Sequence, residues 1–231
     1  SMAYICTSTG LGNADYYKSR KDMLNKEIRD RFFNKEVGLF ETRLGKDNGR
    51  FSVLTNSLCL LCGAAEGLDC ENILRILATN GKDNLGLDVI PNTLSMNSFR
   101  FDALLKADFE KYKPIILDEI DRDYLYMLRG GATSFWETML GETDLFGVCG
   151  SLCHGWSSAV TAFLAETVLG ITIAEPGCKK LIIRPDLCGM TFARGTYPTP
   201  HGVVTVSHTA TPDGIKTEYS APEGVEIEIV S

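Results

Sequence analysis

The spacing of apolar positions changes once along this chain. Over residues 14–33, Tyr17, Met23, Leu24, Ile28 and Phe32 recur at near-helical spacing with charged residues between them, and Asn13 stands where a helix N-cap would. That pattern predicts an amphipathic helix of about five turns. A charged, glycine-bearing link over residues 35–50 follows. The apolar run 54–65 reads as a second helix, Asp69 can cap a third reaching Leu77, and a turn at Gly67 makes the two a helical hairpin. A polar loop over 80–91 carries Gly81, Gly86 and Asp88. Thr93 or Ser95 then offers a cap for a helix to about Lys106, a further helix is expected over 115–128, and Gly130-Gly131 stops it. A last apolar helix spans 157–169 and ends at Gly170.

Beyond Gly170 the runs are short and β-branched or aromatic: 181–183, 203–206, 215–219 and 225–229, several alternating in polarity. Between them lie Pro185-Asp186, Pro212-Asp213-Gly214 and Pro222-Glu223-Gly224, while residues 195–202 are dense in turn formers and predict a hairpin corner. The expectation is an antiparallel sheet, its closing strand at 225–229 requiring a partner for its apolar face. The coarse fold class is mainly α with a β appendage.

At 231 residues and 44% apolar content the chain can bury a real core. A net charge of −7 with interspersed signs leaves no basic stripe for nucleic acid and no polybasic arm for a membrane surface. No apolar run reaches the ~18 residues of a membrane span and the N-terminus lacks a signal-peptide layout, so the expected location is cytoplasmic. Ser1-Met2-Ala3 reads as a cloning remnant and is assigned to no element. Among the eight cysteines, Cys59 and Cys62 have the spacing of a redox or zinc pair. Their apolar, helical surroundings and the lack of a well-spaced second pair (Cys149, Cys153 and His154 being the only candidate) favour buried reduced thiols, with no metal and no cofactor expected.

Candidate chemistry concentrates where both tryptophans fall, in Gly130-Gly131-Ala132-Thr133-Ser134-Phe135-Trp136-Glu137 and Gly150-Ser151-Leu152-Cys153-His154-Gly155-Trp156. An indole stacks on the apolar face of a sugar while a neighbouring carboxylate bonds hydroxyls or moves protons, which makes carbohydrate chemistry the first hypothesis. Two readings of Glu137 stay open at this level: a carboxylate on a loop at a domain mouth, or an ordinary helix-start acid beside core aromatics. His154 is either a sugar contact or a helix-entry histidine satisfied by backbone. Trp156 is expected to pack beneath the site, and Arg129 to serve as a last-turn cation.

These residues resemble the C-terminal portion of bacterial α-L-rhamnosidases, glycoside hydrolase family seventy-eight. The family's Gly-Ala-Thr-Thr-x-Trp-Glu is matched by Gly131 through Glu137, with Ser134 as a departure; its Ser-Leu-Asn-His is similar to Ser151-Leu152-Cys153-His154. Leu169-Gly170-Ile171, Pro176-Gly177, Ile183-Arg184-Pro185, Ala193-Arg194-Gly195 and Thr199-Pro200-His201-Gly202 continue the series in order. The resemblance implies a six-hairpin (α/α)6 toroid closed by a small β-sandwich. Residues 1–172 would be the C-terminal half of the toroid and 173–231 the β domain. It further implies an inverting hydrolase releasing terminal L-rhamnose, with Glu137 as general base and Trp136 and His154 at the sugar. The family's acidic segment carrying the general acid has no counterpart here, and about half of twelve helices are found. The implied partners are therefore a rhamnose-containing glycoside and the rest of a longer enzyme. An isolated chain is expected to be inactive and to self-associate through uncovered helical faces. Two alternatives stand beside this reading: another six-hairpin glycosidase, or a non-catalytic carbohydrate-binding helical module.

Overall fold

The computed structural model describes residues 2–45, 49–142 and 150–230. In chain order the elements are α1 (Met2–Thr9), α2 (Ala14–Phe32), β1 (Phe33–Asn34), β2 (Leu39–Phe40), β3 (Arg50–Ser52), α3 (Val53–Cys62), α4 (Glu71–Ala78), β4 (Asp88–Ile90), α5 (Asn97–Ala107), α6 (Phe109–Arg129), α7 (Val160–Thr167), β5 (Ile171–Ile173), β6 (Lys180–Ile183), β7 (Phe192–Thr199), β8 (Gly202–Thr211), β9 (Gly214–Ser220) and β10 (Glu226–Ile229). Helices with small sheets are thus the observed class.

Side-chain caps set the starts of α2, α3 and α6. Asn13 accepts from the Tyr16 N–H at the head of α2, as expected, and Gly63 ends α3 in the left-handed conformation. For α4 the expected cap is off by one: Cys70 holds the N-cap position without a side-chain bond, and Asp69 instead bonds the Glu71 N–H two residues on. Residues 2–9, assigned to no element from sequence, are helical, and α6 starts at Phe109 rather than near 115. Pro114 hides that start, since proline opposes a helix interior. Asp108 nevertheless caps the helix through the Lys111 N–H, and the buried Tyr112 and Lys113 anchor its first turns.

Two apolar clusters form the core. The larger takes Leu39, Phe40, Phe51, Val53, Ile73, Ile76, Leu77, Phe101, Leu104, Ile116 and Phe163 from the helical part, and the smaller takes Leu169, Ile171, Leu181, Ile183, Val204 and Val206. Several buried polar groups in the first are satisfied, although the hydroxyls of Thr42 and Ser157 find no partner among the described residues. Asn56 accepts from the Phe40 N–H at 2.9 Å and donates to the carbonyls of Phe40 and Ser52, locking β2 onto α3. The fully buried Arg100 donates to Leu77 O at 2.8 Å and Asn97 Oδ1 at 3.1 Å and pairs with Glu119, so α4, α5 and α6 meet on one guanidinium. Asn25 and Arg29 on α2 donate to Cys62 O, the last carbonyl of α3, and to Ala64 O in the turn beyond it.

The β part departs from a single antiparallel sheet. β7, β8 and β9 form an antiparallel meander, but β10 lies parallel to β6, with β5 antiparallel on β6's other side. The meander intervenes between β6 and β10, so β10 enters the second sheet in β6's own direction and the expected closing strand finds its partner there. Residues 195–199 are strand, leaving the hairpin corner to Pro200 and His201. The loop 80–91 also contains a strand, β4, parallel to β3.

Candidate functional site

The site begins at the C-terminus of α6. Gly130 caps the helix and Gly131, at φ 81°, turns the chain back. Close packing makes the first glycine specific: a Cβ at Gly130 would stand 2.9 Å from Trp136 Cη2. The indole is held between Gly130, Gly141 and Tyr126, whose ring meets it edge-on at 6.4 Å.

From there residues 134–137 run beside residues 151–154, although the two stretches are separated in sequence by a segment that includes residues 143–149, outside the described set. Glu137 N–H donates to Ser151 O at 2.8 Å and His154 N–H to Phe135 O at 2.7 Å, while Ser134 Oγ donates to Leu152 O at 2.6 Å. The Ser151 N–H returns to Glu137 Oε2 at 3.2 Å. Among the described residues Oε1 of Glu137 accepts no hydrogen bond. A carboxylate with one oxygen fixed by a backbone N–H is held in a single orientation.

His154 is half-buried and precedes a short 3-10 turn, Gly155–Ala159, that leads into α7. Its ring meets Trp156 edge-on at 6.1 Å. Trp156 corrects the sequence reading: it is 63% exposed, and no described residue covers it. The reason lies in the turn, where Ser157 is the buried residue and Tyr124 Oη donates to its carbonyl at 2.7 Å, so the neighbouring indole is directed outward.

An open cleft of about 420 Å³ lies beside Trp136, walled also by Tyr126, Gly131, Ser134, Leu140 and Leu152. Glu137 and His154 are not among its walls. The structure therefore joins Trp136 to an open cleft and Glu137 to the backbone of the His154 segment. Cys59 is buried and its thiol is pushed up to about 12 by burial, whereas Cys62 and Cys153 are exposed; Cys149 lies outside the described residues. Among the described residues no group of three or more His, Cys, Asp or Glu side chains is placed to hold a metal ion.

Sequence reasoning missed the groups that join the two parts of the chain. Lys113 on α6, buried, pairs with Asp186 beyond β6. His208 on β8, fully buried, bonds Thr217 Oγ1 at 2.9 Å and Leu169 O at 3.1 Å. Neither sits in a motif; a lysine or histidine becomes informative only once its burial is known.

Residues 170–230 match the family model of the bacterial α-L-rhamnosidase C-terminal domain. A curated α-L-rhamnosidase of Alteromonas sp. (strain LOR) is 26% identical over 227 residues, covering 94% of this chain and 23% of that protein. Among solved structures, a GH78 family rhamnosidase of Bacillus sp. GL1 superposes with a TM-score of 0.78 at 28% identity, over 94% of this chain and 23% of that one. An α-L-rhamnosidase from Dictyoglumus thermophilum shares the fold at a TM-score of 0.75 and 19% identity, over 98% of this chain and 25% of that one. The chain thus spans about a quarter of the length of these relatives. In family match, in sequence and in fold alike, it is similar to the C-terminal part of a bacterial α-L-rhamnosidase.

Proposed function

We propose that the chain is part of an inverting glycoside hydrolase that releases terminal α-L-rhamnose, and that Glu137 is its general base. Inversion needs a carboxylate that draws a proton from water on one ring face while a carboxylic acid protonates the leaving oxygen on the other, about 6.5–9.5 Å away. The observation that carries the reading is the orientation of Glu137: Oε2 is held by the Ser151 N–H, and no donor among the described residues occupies Oε1. Trp136 supplies an indole at an open cleft for the apolar face of the sugar, and His154, tethered to Phe135, supplies a ring nitrogen for a hydroxyl. On this reading residues 1–172 are half of a helical-hairpin toroid and 173–231 a β domain, with Val168, Leu169 and Ile171 reaching from the helical side into the smaller apolar cluster. The general acid belongs to the remainder of the longer enzyme. The chain alone then lacks the factor of about 10²–10⁴ that acid catalysis contributes and is inactive.

The test is turnover of an aryl α-L-rhamnoside by the full-length enzyme that contains this chain. Glu137→Gln is expected to lower kcat by about 10²–10⁴-fold, the range for loss of a general base. Normal turnover in that variant would overturn the assignment.

A further inference from the structure

Strand β9 leaves one side of its sheet unpaired. It lies at the margin of the order β7, β8, β9, and among the described residues no strand pairs with its far side. The ladder decides which backbone groups that side presents. The Ala210 N–H bonds Thr191 O towards β7, so by alternation Thr209, Ser207 and Thr205 of β8 turn their N–H and C=O groups to Lys216, Glu218 and Ser220 of β9. The groups of Ile215, Thr217 and Tyr219 then point outward, a row of donors and acceptors suited to another strand. The side chains of the same three residues stand opposite Ala210, His208 and Val206, and the last two are buried, so they share the core face of the sheet. Ile215 and Tyr219 are nonetheless 41% and 48% exposed, because the sheet ends beside them.

The sequence of β9 is complementary to itself. When a second copy is laid antiparallel along the edge with Thr217 opposite Thr217, Ile215 meets the partner's Tyr219 on the core face, and Lys216 meets the partner's Glu218 on the other face. Two-fold symmetry makes each contact twice. The charged residues fall at non-hydrogen-bonded pairs, where side chains stand closest. Lys216 and Glu218 already pair within the strand at 2.8 Å, so the four charges of the two copies alternate in sign. Sliding one strand by two residues puts Lys216 against Lys216 or Glu218 against Glu218, and like charges directly opposite oppose pairing. We propose that β9 is the two-fold edge of a homodimer, in which two copies join their three-stranded sheets into one of six strands. A single strand pair is a small interface, so the dimer dissociates readily on dilution.

The test is a charge exchange in the full chain, read as weight-average mass by sedimentation equilibrium from low to high micromolar concentration. Lys216→Glu and Glu218→Lys each place like charges opposite one another twice and should each weaken the dimer about tenfold. Both side chains are exposed, so far-UV spectra and urea midpoints should match those of the parent chain. An equimolar mixture of the two variants restores both opposite-charge pairs and should associate as the parent does, as should the double variant Lys216→Glu/Glu218→Lys. Association through any other face would be indifferent to these charges. Single variants that associate like the parent, or a mixture no heavier than its components, would overturn the proposal. A parent chain that stays monomeric would overturn it too, and would leave the edge to a strand from elsewhere in the longer enzyme.

Discussion

Gly170 sits at φ 67°, and a Cβ there would come within 1.8 Å of the Arg184 carbonyl oxygen. Its own carbonyl accepts the Arg184 N–H at 3.0 Å, so this glycine is the point where the chain leaving α7 is pressed against the end of β6. An alanine would carry both the left-handed penalty and a backbone displacement. Gly170→Ala is expected to cost at least about 3 kcal/mol, measured as a shift in the urea unfolding curve; unchanged stability would disprove the close approach. The sequence marked Gly170 as a helix stop, which is correct but incomplete, because a stop signal does not disclose what the backbone approaches. Trp136 and His154 stand out in the sequence for the opposite reason, as rare residue types in short segments, and Glu137 is singled out only by its place beside Trp136. Arg100 was invisible, since an arginine inside a helical pattern reads as solvated until Leu77, Asn97 and Glu119 are seen around it.

Between elements, the Lys113–Asp186 pair couples α6 to the strand region. Burial alone would raise the Asp186 carboxyl, but the Lys113 ammonium and the Cys188 N–H beside it outweigh that and hold it below the usual carboxylate value. For Lys113, burial pulls the other way from its bond to Asp186, and the net effect is a raised value. The signs give a window. A depressed Asp contributes stability that is present above its unfolded pKa of about 3.9 and lost as pH falls through the lower folded value. A raised Lys contributes stability present below about 10.4 and lost as pH rises through its higher folded value. Asp186→Asn should therefore cost roughly 2 kcal/mol between about pH 5 and 9, with the difference from the parent shrinking at both extremes of a pH series of urea unfolding. A difference that widened in acid would disprove the clamp. Elements themselves were read unevenly. Long amphipathic helices with side-chain caps, such as α2, announce themselves; β4 has three residues, too few for a period, and exists because β3 lies alongside. The parallel pairing of β6 and β10 escaped for a related reason, as local sequence holds no record of direction between distant strands.

At the scale of the whole molecule, α1, α2 and the link between them expose Met2, Tyr4, Ile5, Leu11, Tyr16, Met23 and Leu24, while α1 buries only Cys6. An apolar surface of that kind associates with whatever covers it. The chain is expected to self-associate with rising concentration in light scattering coupled to gel filtration, and deletion of residues 1–12 to reduce this with less than about 1 kcal/mol lost in unfolding, since almost no core goes with them. A parent chain that stays monomeric at high micromolar concentration would show this face to be inert. The helical-then-β order was legible from the single change in apolar spacing, but which faces remain open depends on three-dimensional neighbours that no local pattern encodes. The β6–β10 pairing also bears on the timing of synthesis. When β6 leaves the ribosome only one of its two neighbours, β5, has been made, and every residue from 184 to 225 must follow before β10 can dock on the other side. The helical part can therefore fold during translation, whereas the sheet that receives it through Lys113 and Asp186 closes only after β10 has emerged.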